Sequence, residues 1–446
     1  MGIDMIKPIS TARFEALCFM RRPTIKFYAE EREWYSDQDE NVLGIVLLDK
    51  IDHDWSYVVL GRDELARLSA IHQDVSYPTV DKAREALHTQ MLEYGLAGET
   101  VFPQGLDHKR QKIFQLFHPI QPTEKQHPDF VFLSKATGYS CAKGIIAEIA
   151  YTFEDPDGSY IEQFQGNGFD ARLWELYLYA ALHENDFNIN RKFYAPDYLC
   201  EKDGVPLVIE ATTVNPTQDG EVVREDPDGV EISNYMAIKF ANALYRKLQK
   251  RYWELDHVKG MPLILAVADF RKPEGIYYSA KMLQEYLYGQ RQSREGDTYV
   301  YTPIQEHVYR ERRKPSGFFA LPDSENISAV LFSDGGTISK FHRMGKLAGF
   351  GDQEVKMLRV GHRYETSMSP GATEFRVMVD PPGYTETWSE GIYVFHNPRA
   401  KYPLAPELFP DAGHVFLTNG QYAITVSDRF PTWSKTIILS ADQKTQ

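Results

Sequence analysis

The dipeptide Asp203-Gly204 limits the possible folds of this chain most strongly, because it separates two strand-like segments, APDYLCEK and VPLVIEATTV. A two-residue type I′ turn needs positive φ at both central positions, which Asp tolerates and Gly accepts freely. If these residues form the turn, the residue numbers of every facing pair in the hairpin sum to 407. Asp197 then lies opposite Glu210, with Cβ atoms roughly 4.5–5.5 Å apart. The sequence therefore predicts two directly opposed carboxylates.

Two opposed carboxylates destabilise a sheet unless a cation or a proton lies between them. A hard divalent cation meets this need, because Mg²⁺ is commonly bound by one or two carboxylates together with water and phosphate. Glu210 follows the apolar run LVI, which places its carboxylate where a buried sheet meets solvent. The alternative is an exposed hairpin in which each acid pairs with a lysine or arginine. Pro206 cannot donate to a strand ladder and favours an edge position or an irregularity.

The elements around this hairpin, from about Asp170 to Arg271, have a regular order. The apolar segment ARLWELYLYAAL predicts a buried helix with Asp170 as its N-cap. After the hairpin and a polar loop over residues 215–229, a long helix is predicted from about Ser233 to Leu255. The continuous apolar run PLILAVADF then indicates a strand buried within a sheet. The predicted order is helix, strands, helix, strand.

The whole chain of 446 residues is long enough for two or three domains. We expect an α+β protein with boundaries at 1–145, 146–290 and 291–446. The first region reads as a β-meander followed by a helix from Val80 to about Tyr94, with Thr79 as its N-cap. The third region is β-rich and carries no chemistry that the sequence reveals.

The residues of the hairpin resemble a known motif. The pattern PDY…VIEAT looks like the PD-(D/E)XK motif of restriction-endonuclease-like nucleases, with Pro196 and Asp197 as its first half and Glu210, Ala211 and Thr212 as its second. That family's core is a helix, three strands, a helix and a strand, and the resemblance covers about 100 residues. It implies Mg²⁺ or Mn²⁺ held by Asp197 and Glu210, with the Ala211 carbonyl as a further ligand.

The family's first helix often supplies another acid to the metal, and Glu175 stands at the matching position. A buried carboxylate needs a partner, because an unpaired buried charge is costly. The resemblance implies a metal ligand, whereas a salt bridge to Arg172 is the equally weighted alternative.

Thr212 departs from the pattern, because the family usually has lysine there. A threonine hydroxyl cannot supply the positive charge that stabilises a reacting phosphate. Some members carry that lysine on the following helix, where Lys239 is the first candidate catalytic residue and Lys247 the second. A solvated helix surface is the alternative for each.

These features predict a Mg²⁺-dependent endonuclease that hydrolyses phosphodiester bonds. DNA is the expected substrate, RNA the alternative, and restriction or anti-phage defence a setting suggested by the resemblance alone. The competing hypothesis is a catalytically degenerate nuclease fold that binds nucleic acid or protein, with a homodimer or a partner protein also open. The net charge of −14 argues against a surface that wraps nucleic acid throughout, although it leaves room for a local groove.

Short basic clusters are expected to be mainly solvated faces. They comprise Arg246, Lys247, Lys250 and Arg251; Arg310, Arg312, Arg313 and Lys314; and Lys340, His342, Arg343 and Lys346.

The remaining features predict a cytoplasmic protein with no association with membranes. No stretch approaches about 18 uninterrupted apolar residues. The scattered Cys18, Cys141 and Cys200 indicate buried thiols rather than a disulfide framework or zinc site. The sequence Asp334-Gly-Gly-Thr337 lacks the spacing of a phosphate-binding loop and is interpreted as a hairpin turn.

Overall fold

The computed structural model describes residues 6–19, 21, 23–105, 113–214, 230–270, 279–296 and 298–439. The chain divides into two compact units, one of residues 1–154 with 341–353 and the other of residues 155–340 with 354–446. Helices and strands occur in both units, so the predicted mixture of α and β structure is confirmed. The polar loop predicted at 215–229 lies outside the described residues.

The first unit contains an antiparallel five-stranded sheet in chain order. Its strands are β1 (Ile6–Pro8), β2 (Ala29–Asp37), β3 (Val42–Asp49), β4 (Trp55–Arg62) and β5 (Leu68–Tyr77). Its helices are α1 (Thr11–Leu17), α2 (Ile25–Tyr28), α3 (Val80–Ala97), α4 (Pro128–Lys135) and α5 (Ser140–Thr152). The predicted meander and helix are observed, and the Thr79 side chain caps α3 by accepting from the Lys82 N–H. Ala83, Leu87 and Met91 of α3 pack on the sheet.

The second unit contains a larger set of elements. Its helices are α6 (Tyr160–Gln165), α7 (Phe169–Glu184), α8 (Val230–Leu248) and α9 (Ser279–Tyr288), while α10 (Ile338–Leu347) begins in this unit and ends in the first. Its first strands are β6 (Asn188–Asn190), β7 (Tyr198–Lys202), β8 (Val205–Val214), β9 (Leu263–Asp269), β10 (Gln290–Glu295), β11 (Thr298–Pro303), β12 (Glu306–Tyr309) and β13 (Arg312–Pro315). The later strands are β14 (Ala329–Ser333), β15 (Lys356–Arg363), β16 (Thr373–Met378), β17 (Tyr393–His396), β18 (Gly413–Thr418), β19 (Gln421–Thr425) and β20 (Pro431–Leu439).

An eight-stranded mixed sheet runs through this unit in the order β19-β18-β17-β14-β9-β8-β7-β6. Strands β6, β7 and β8 form an antiparallel meander, and β9 lies parallel to β8. The predicted order of helix, strands, helix and strand is thus observed as α7, β6 to β8, α8 and β9. Strands β14, β17, β18 and β19, which lie beyond the predicted boundary at 290, extend the same sheet, whereas β15, β16 and β20 form a separate three-stranded sheet. Strand patterning alone does not reveal which sheet a strand joins.

The two helices that flank the hairpin cover opposite faces of this sheet. Val208 and Val214 of β8 belong to one buried apolar cluster with Leu244 of α8. Side chains alternate between faces along a strand, so Glu210 and Thr212 also lie on the α8 face. Tyr198 follows Asp197 directly, so its side chain points to the opposite face from that of Asp197. The Tyr198 hydroxyl donates to the Glu175 backbone carbonyl of α7 at 2.6 Å. Helix α7 therefore covers the other face.

The hairpin has the register that its turn predicts. Asp203 has φ of 52° and Gly204 of 77°, as a type I′ turn requires. The facing pairs run from Lys202 with Val205 to Tyr198 with Ile209, and each pair sums to 407. Pro206 faces Glu201 within the ladder. Its missing N–H is tolerated because the pairing of β8 with β9 begins only at Val208.

Two predicted helix ends are corrected. Gly168 is the N-cap of α7, so Asp170 lies within the first turn, where its negative charge suits the helix dipole. Helix α8 begins at Val230 and ends at Leu248 rather than running from Ser233 to Leu255. Arg251 adopts a left-handed φ of 50°, which an α-helix cannot include, and a short 3₁₀ turn comes directly after it.

The interpretation of Asp334–Thr337 as a hairpin turn is also wrong. Strand β14 is followed by helix α10, so this segment links a strand to a helix. A Cβ at Gly336 would lie 2.7 Å from the Trp174 ring, which explains a glycine here by close packing rather than by turn geometry.

A buried histidine beside α8 predicts loss of stability in acid. His307 of β12 is fully buried, with Nδ1 3.1 Å from Asn234 Oδ1 and Nε2 2.9 Å from Ser316 Oγ. A neutral imidazole satisfies both partners, since Nδ1–H donates to the amide oxygen and Nε2 accepts from the hydroxyl. Burial, assisted by the charge of Arg291, lowers the pKa of His307 from 6.5 to about 4.

Between pH 6.5 and 4 the unfolded chain therefore binds a proton at His307 that the folded chain does not. The contribution of His307 to stability is complete above pH 6.5 and is lost as the pH falls toward 4. As the pH falls from 6.5 to 4, the free energy of unfolding should decrease less steeply for His307→Gln than for the wild type. The two slopes should differ by up to about 1.4 kcal/mol per pH unit. Urea titrations of both proteins at several pH values measure the difference, and parallel slopes would contradict the assignment.

Candidate active site

Asp197 and Glu210 meet at the end of the β7–β8 ladder, as the register predicts. The Asp197 backbone N–H donates to Glu210 Oε2 at 3.2 Å, and the Ala211 backbone N–H donates to Asp197 Oδ2 at 2.7 Å. Glu210 is buried and Asp197 is partly exposed. These reciprocal bonds hold each carboxylate against the opposite strand, so the pair is oriented by backbone that the sheet fixes.

Glu210 receives its charge partner from α8. Lys247 donates to Glu210 Oε1 at 2.5 Å, and the Tyr252 hydroxyl donates to the same oxygen at 2.6 Å. Burial and the neighbouring charge of Asp197 raise the pKa of Glu210, while Lys247 and Tyr252 act in the opposite direction. Lys247 is therefore the cation that two opposed carboxylates require in this structure.

Glu175 lies on the α7 face, in an ion-pair network of its own. Arg172 Nη1 lies 2.6 Å from Glu175 Oε1, and Arg191 Nη2 lies 3.3 Å from Oε2. Arg191 also donates to the Asp197 carbonyl at 3.1 Å, which connects the network to the acid pair. Burial first, and then the charge of Asp197, raises the pKa of Glu175 to about 7 despite the two arginines. The salt bridge to Arg172 that the sequence offered as an alternative is observed.

The remaining predicted site residues are dispersed along β8 and α8. The Thr212 side chain shares the face of Glu210, two residues further along β8. Ala211 contacts the site through its N–H, whereas its predicted role uses the carbonyl. The Lys239 ammonium lies 5.5 Å from the centroid of the Tyr235 ring. Of the two candidate lysines, Lys247 is the one that contacts Glu210. Lys239 lies eight residues earlier, about 12 Å away along the helix axis.

Sequence reasoning missed Tyr252 and Arg191. Tyr252 lies in the 3₁₀ turn after α8, and no sequence pattern connects it with Glu210. The sequence did contain a signal for a residue such as Arg191, because a glutamate buried in an apolar helix needs positively charged partners. That reasoning reached Arg172 one turn away on the helix, but a second arginine 16 residues distant depends on the tertiary fold.

The donor atoms fit a cation bound by two carboxylates. Asp197 Oδ1 accepts no hydrogen bond from the residues that the structure describes, and its side chain is partly exposed. Within those residues, no three or more His, Cys, Asp or Glu side chains are grouped so as to hold a metal. Because Mg²⁺ commonly takes one or two carboxylates and fills its other positions with water and phosphate, Asp197 with Glu210 suits it. The Glu175 carboxylate is instead paired with two arginines, Arg172 and Arg191.

Comparison with known proteins finds no matching family model, no matching curated protein and no matching solved structure. In the described part of the chain, no helix combines the length and apolar character needed to cross a membrane.

Two further predictions concern the cysteines and one of the basic clusters. The three cysteines are free and buried, as predicted. Lys340, His342, Arg343 and Lys346 are buried, so the interpretation of that cluster as a solvated face is wrong. Lys340, for example, pairs with Glu386 at 2.7 Å.

A cavity of about 360 Å³ in the second unit is lined in part by Arg359, Arg363, Glu386 and Glu390. Arg359 contacts Glu390 at 2.8 Å and Glu386 at 3.4 Å. Asp197 and Glu210 do not line this cavity. The two glutamates are therefore counterions of Arg359.

Removal of Arg191 should destabilise the fold. Arg191→Met leaves Glu175 buried with Arg172 as its remaining partner, so we expect the free energy of unfolding to fall by about 3 kcal/mol, at the low end of the range for a broken buried ion pair. Adding Glu175→Gln to this variant should restore part of the loss, because the buried carboxylate is then removed and Arg172 keeps the Gln163 side-chain oxygen as an acceptor. Urea unfolding measures both, with Lys192→Met as the exposed neighbouring control. A loss no larger than that of Lys192→Met would contradict a stabilising role of Arg191.

Proposed function

We propose that this protein is a metal-dependent nuclease and that residues 169–269 are a restriction-endonuclease-like core. The observation that carries the proposal is the constellation of Asp197 opposite Glu210 with Lys247 bonded to Glu210. The order α7, β6 to β8, α8 and β9 supports it, because this is the element order of that family's core. Lys247 also supplies the positive charge that Thr212 lacks.

In this proposal Asp197 and Glu210 hold Mg²⁺ or Mn²⁺. When bound there, such an ion would supply Lewis acidity toward the scissile phosphate and would make the attacking water more acidic. The chain's own groups orient the reaction. Tyr252 and the Asp197 backbone N–H fix the Glu210 carboxylate, and the Lys247 ammonium has further N–H donors for a phosphate oxygen or the attacking water. Such preorganised positive charge stabilises the charge that develops during phosphate attack.

A binding module without catalysis is the second candidate, and one specific observation favours it. Lys247 neutralises Glu210 directly, so the acid pair has a counterion without any metal. A degenerate nuclease fold would retain this ion pair as structure and bind nucleic acid or protein elsewhere on its surface.

Cleavage assays distinguish the two candidates. The purified chain is incubated with supercoiled plasmid, single-stranded DNA and RNA in Mg²⁺ or Mn²⁺, and in parallel with excess EDTA. The nuclease hypothesis expects cleavage that requires metal, stops in EDTA and leaves 5′-phosphate ends, because the attacking water expels the 3′ oxygen. DNA should be cleaved faster than RNA. Inactivity on all substrates with both metals would favour the binding module.

A further inference from the structure

The connection between β6 and β7 presents two consecutive aromatic side chains beside the acid pair. Tyr194 is 81% exposed and Phe193 is 38% exposed. Tyr194 lies three residues before Asp197, a span of at most about 10 Å of chain.

The aromatic pair is held in place by His257. The rings of Phe193 and His257 are stacked, with centroids 4.0 Å apart and an interplanar angle of 4°. His257 Nε2 lies 2.9 Å from the Ala195 carbonyl oxygen, which joins the imidazole to the same connection. Tyr194 therefore extends from a segment whose neighbour on each side has a fixed partner. An exposed ring on such a segment offers a flat face at low entropic cost on binding.

Exposed cations occur in the segments that carry the rings and Lys247. Lys192 lies in the same connection, and Arg246 and Lys250 flank Lys247 in sequence near the end of α8. All three side chains are exposed. The negative charge of the acid pair would repel a phosphate backbone, so nearby cations are needed to attract the nucleic acid to the site. The overall net charge of −14 would not by itself attract nucleic acid.

We propose that Tyr194, with the Phe193–His257 stack, is a platform for unpaired bases and that the acid pair therefore acts on single-stranded nucleic acid. In a duplex the faces of the bases are buried in the stack, whereas in a single strand they are free to stack on aromatic side chains. A platform of aromatic rings with nearby cations is the usual means of binding a single strand without reading its sequence. This inference rests on the proposed nuclease function, because it names the substrate of the same site.

Binding without catalysis tests the platform. The full chain in EDTA is titrated against fluorescent single-stranded DNA, single-stranded RNA and duplex DNA of equal length, with fluorescence anisotropy as the measurement. We expect tighter binding to the single strands than to the duplex. Tyr194→Ala should weaken single-strand binding at least about 5-fold, within the range found for removal of one stacking aromatic. Tyr194→Trp should preserve it.

The matched control is Tyr299→Ala, because Tyr299 is 58% exposed but lies on β11. Since Tyr194 is largely exposed, its replacement should leave the thermal unfolding temperature unchanged. Equal affinity for duplex and single strand, equal effects of the Tyr194 and Tyr299 variants, or no nucleic-acid binding would each overturn the platform. Metal-dependent cleavage of duplex DNA at full rate by Tyr194→Ala would overturn it while leaving the nuclease proposal intact. Single-strand binding that needs Tyr194, in a chain that never cleaves, would support the platform and overturn the nuclease.

Discussion

Replacement of either opposed acid should abolish metal-dependent cleavage. Asp197→Asn and Glu210→Gln keep the size of each side chain but remove the charge that would hold the metal. We expect each variant to lower the cleavage rate at saturating Mg²⁺ by at least about 100-fold, because even groups that only orient metal ligands contribute 10- to 100-fold. Initial rates on a labelled DNA substrate measure the effect. Metal affinity, measured by calorimetry, should fall in parallel.

The matched control for both variants is Glu201→Gln. Glu201 is an exposed acid on the same hairpin and faces Pro206, so its loss should leave cleavage unchanged. Wild-type cleavage rates in both Asp197→Asn and Glu210→Gln would contradict the site assignment. A loss of similar size in Glu201→Gln would indicate that the hairpin as a whole, rather than the opposed pair, is required.

Replacement of Lys247 should be nearly as damaging. Lys247→Ala removes the cation beside Glu210, and we expect kcat to fall by about 10²–10³, the usual cost of losing one preorganised electrostatic group. The pKa of Glu210 should rise further, because the lysine that lowers it is gone. Cleavage by Lys247→Ala should therefore recover partly at higher pH, where Glu210 ionises. Rates between pH 6 and 9 measure this recovery.

Two further lysine variants make the experiment specific. Lys281→Ala, at an exposed position of α9, serves as the control and should cleave at the wild-type rate. Lys239→Ala should cost less than Lys247→Ala, because Lys239 lies about two turns away along α8. The reverse order would mean that the residue first predicted from the sequence is the active one and that the Lys247 contact is structural.

The register of the hairpin could be predicted because its determinants are local. Asp203 and Gly204 specify the turn, and a period of two then assigns every facing pair up to Asp197 and Glu210. The elements α7, α8 and β9 could be recognised for a similar reason, since each is a long apolar or amphipathic segment. Features that depend only on neighbouring residues along the chain could therefore be predicted from the sequence.

The partners of the acids were harder to predict from the sequence, because they depend on tertiary packing. Lys239 and Lys247 share a helix face, and their sequence does not reveal which turn of α8 lies over Glu210. Tyr252 and Arg191 reach the site from irregular segments, for which neither period nor capping applies. The strands after β9 posed the same difficulty at a larger scale, because β14 pairs in parallel with a strand about 60 residues earlier.

Metal binding by the opposed acids is tested most directly by a crystal structure of the chain in Mn²⁺, recorded at a wavelength where Mn²⁺ scatters anomalously. We expect an anomalous peak within about 2–2.5 Å of carboxylate oxygens of both Asp197 and Glu210. Lys247 should remain beside the acids. A structure that binds Mn²⁺ elsewhere, with Glu210 still bonded to Lys247 and no peak at the pair, would contradict the proposed metal site.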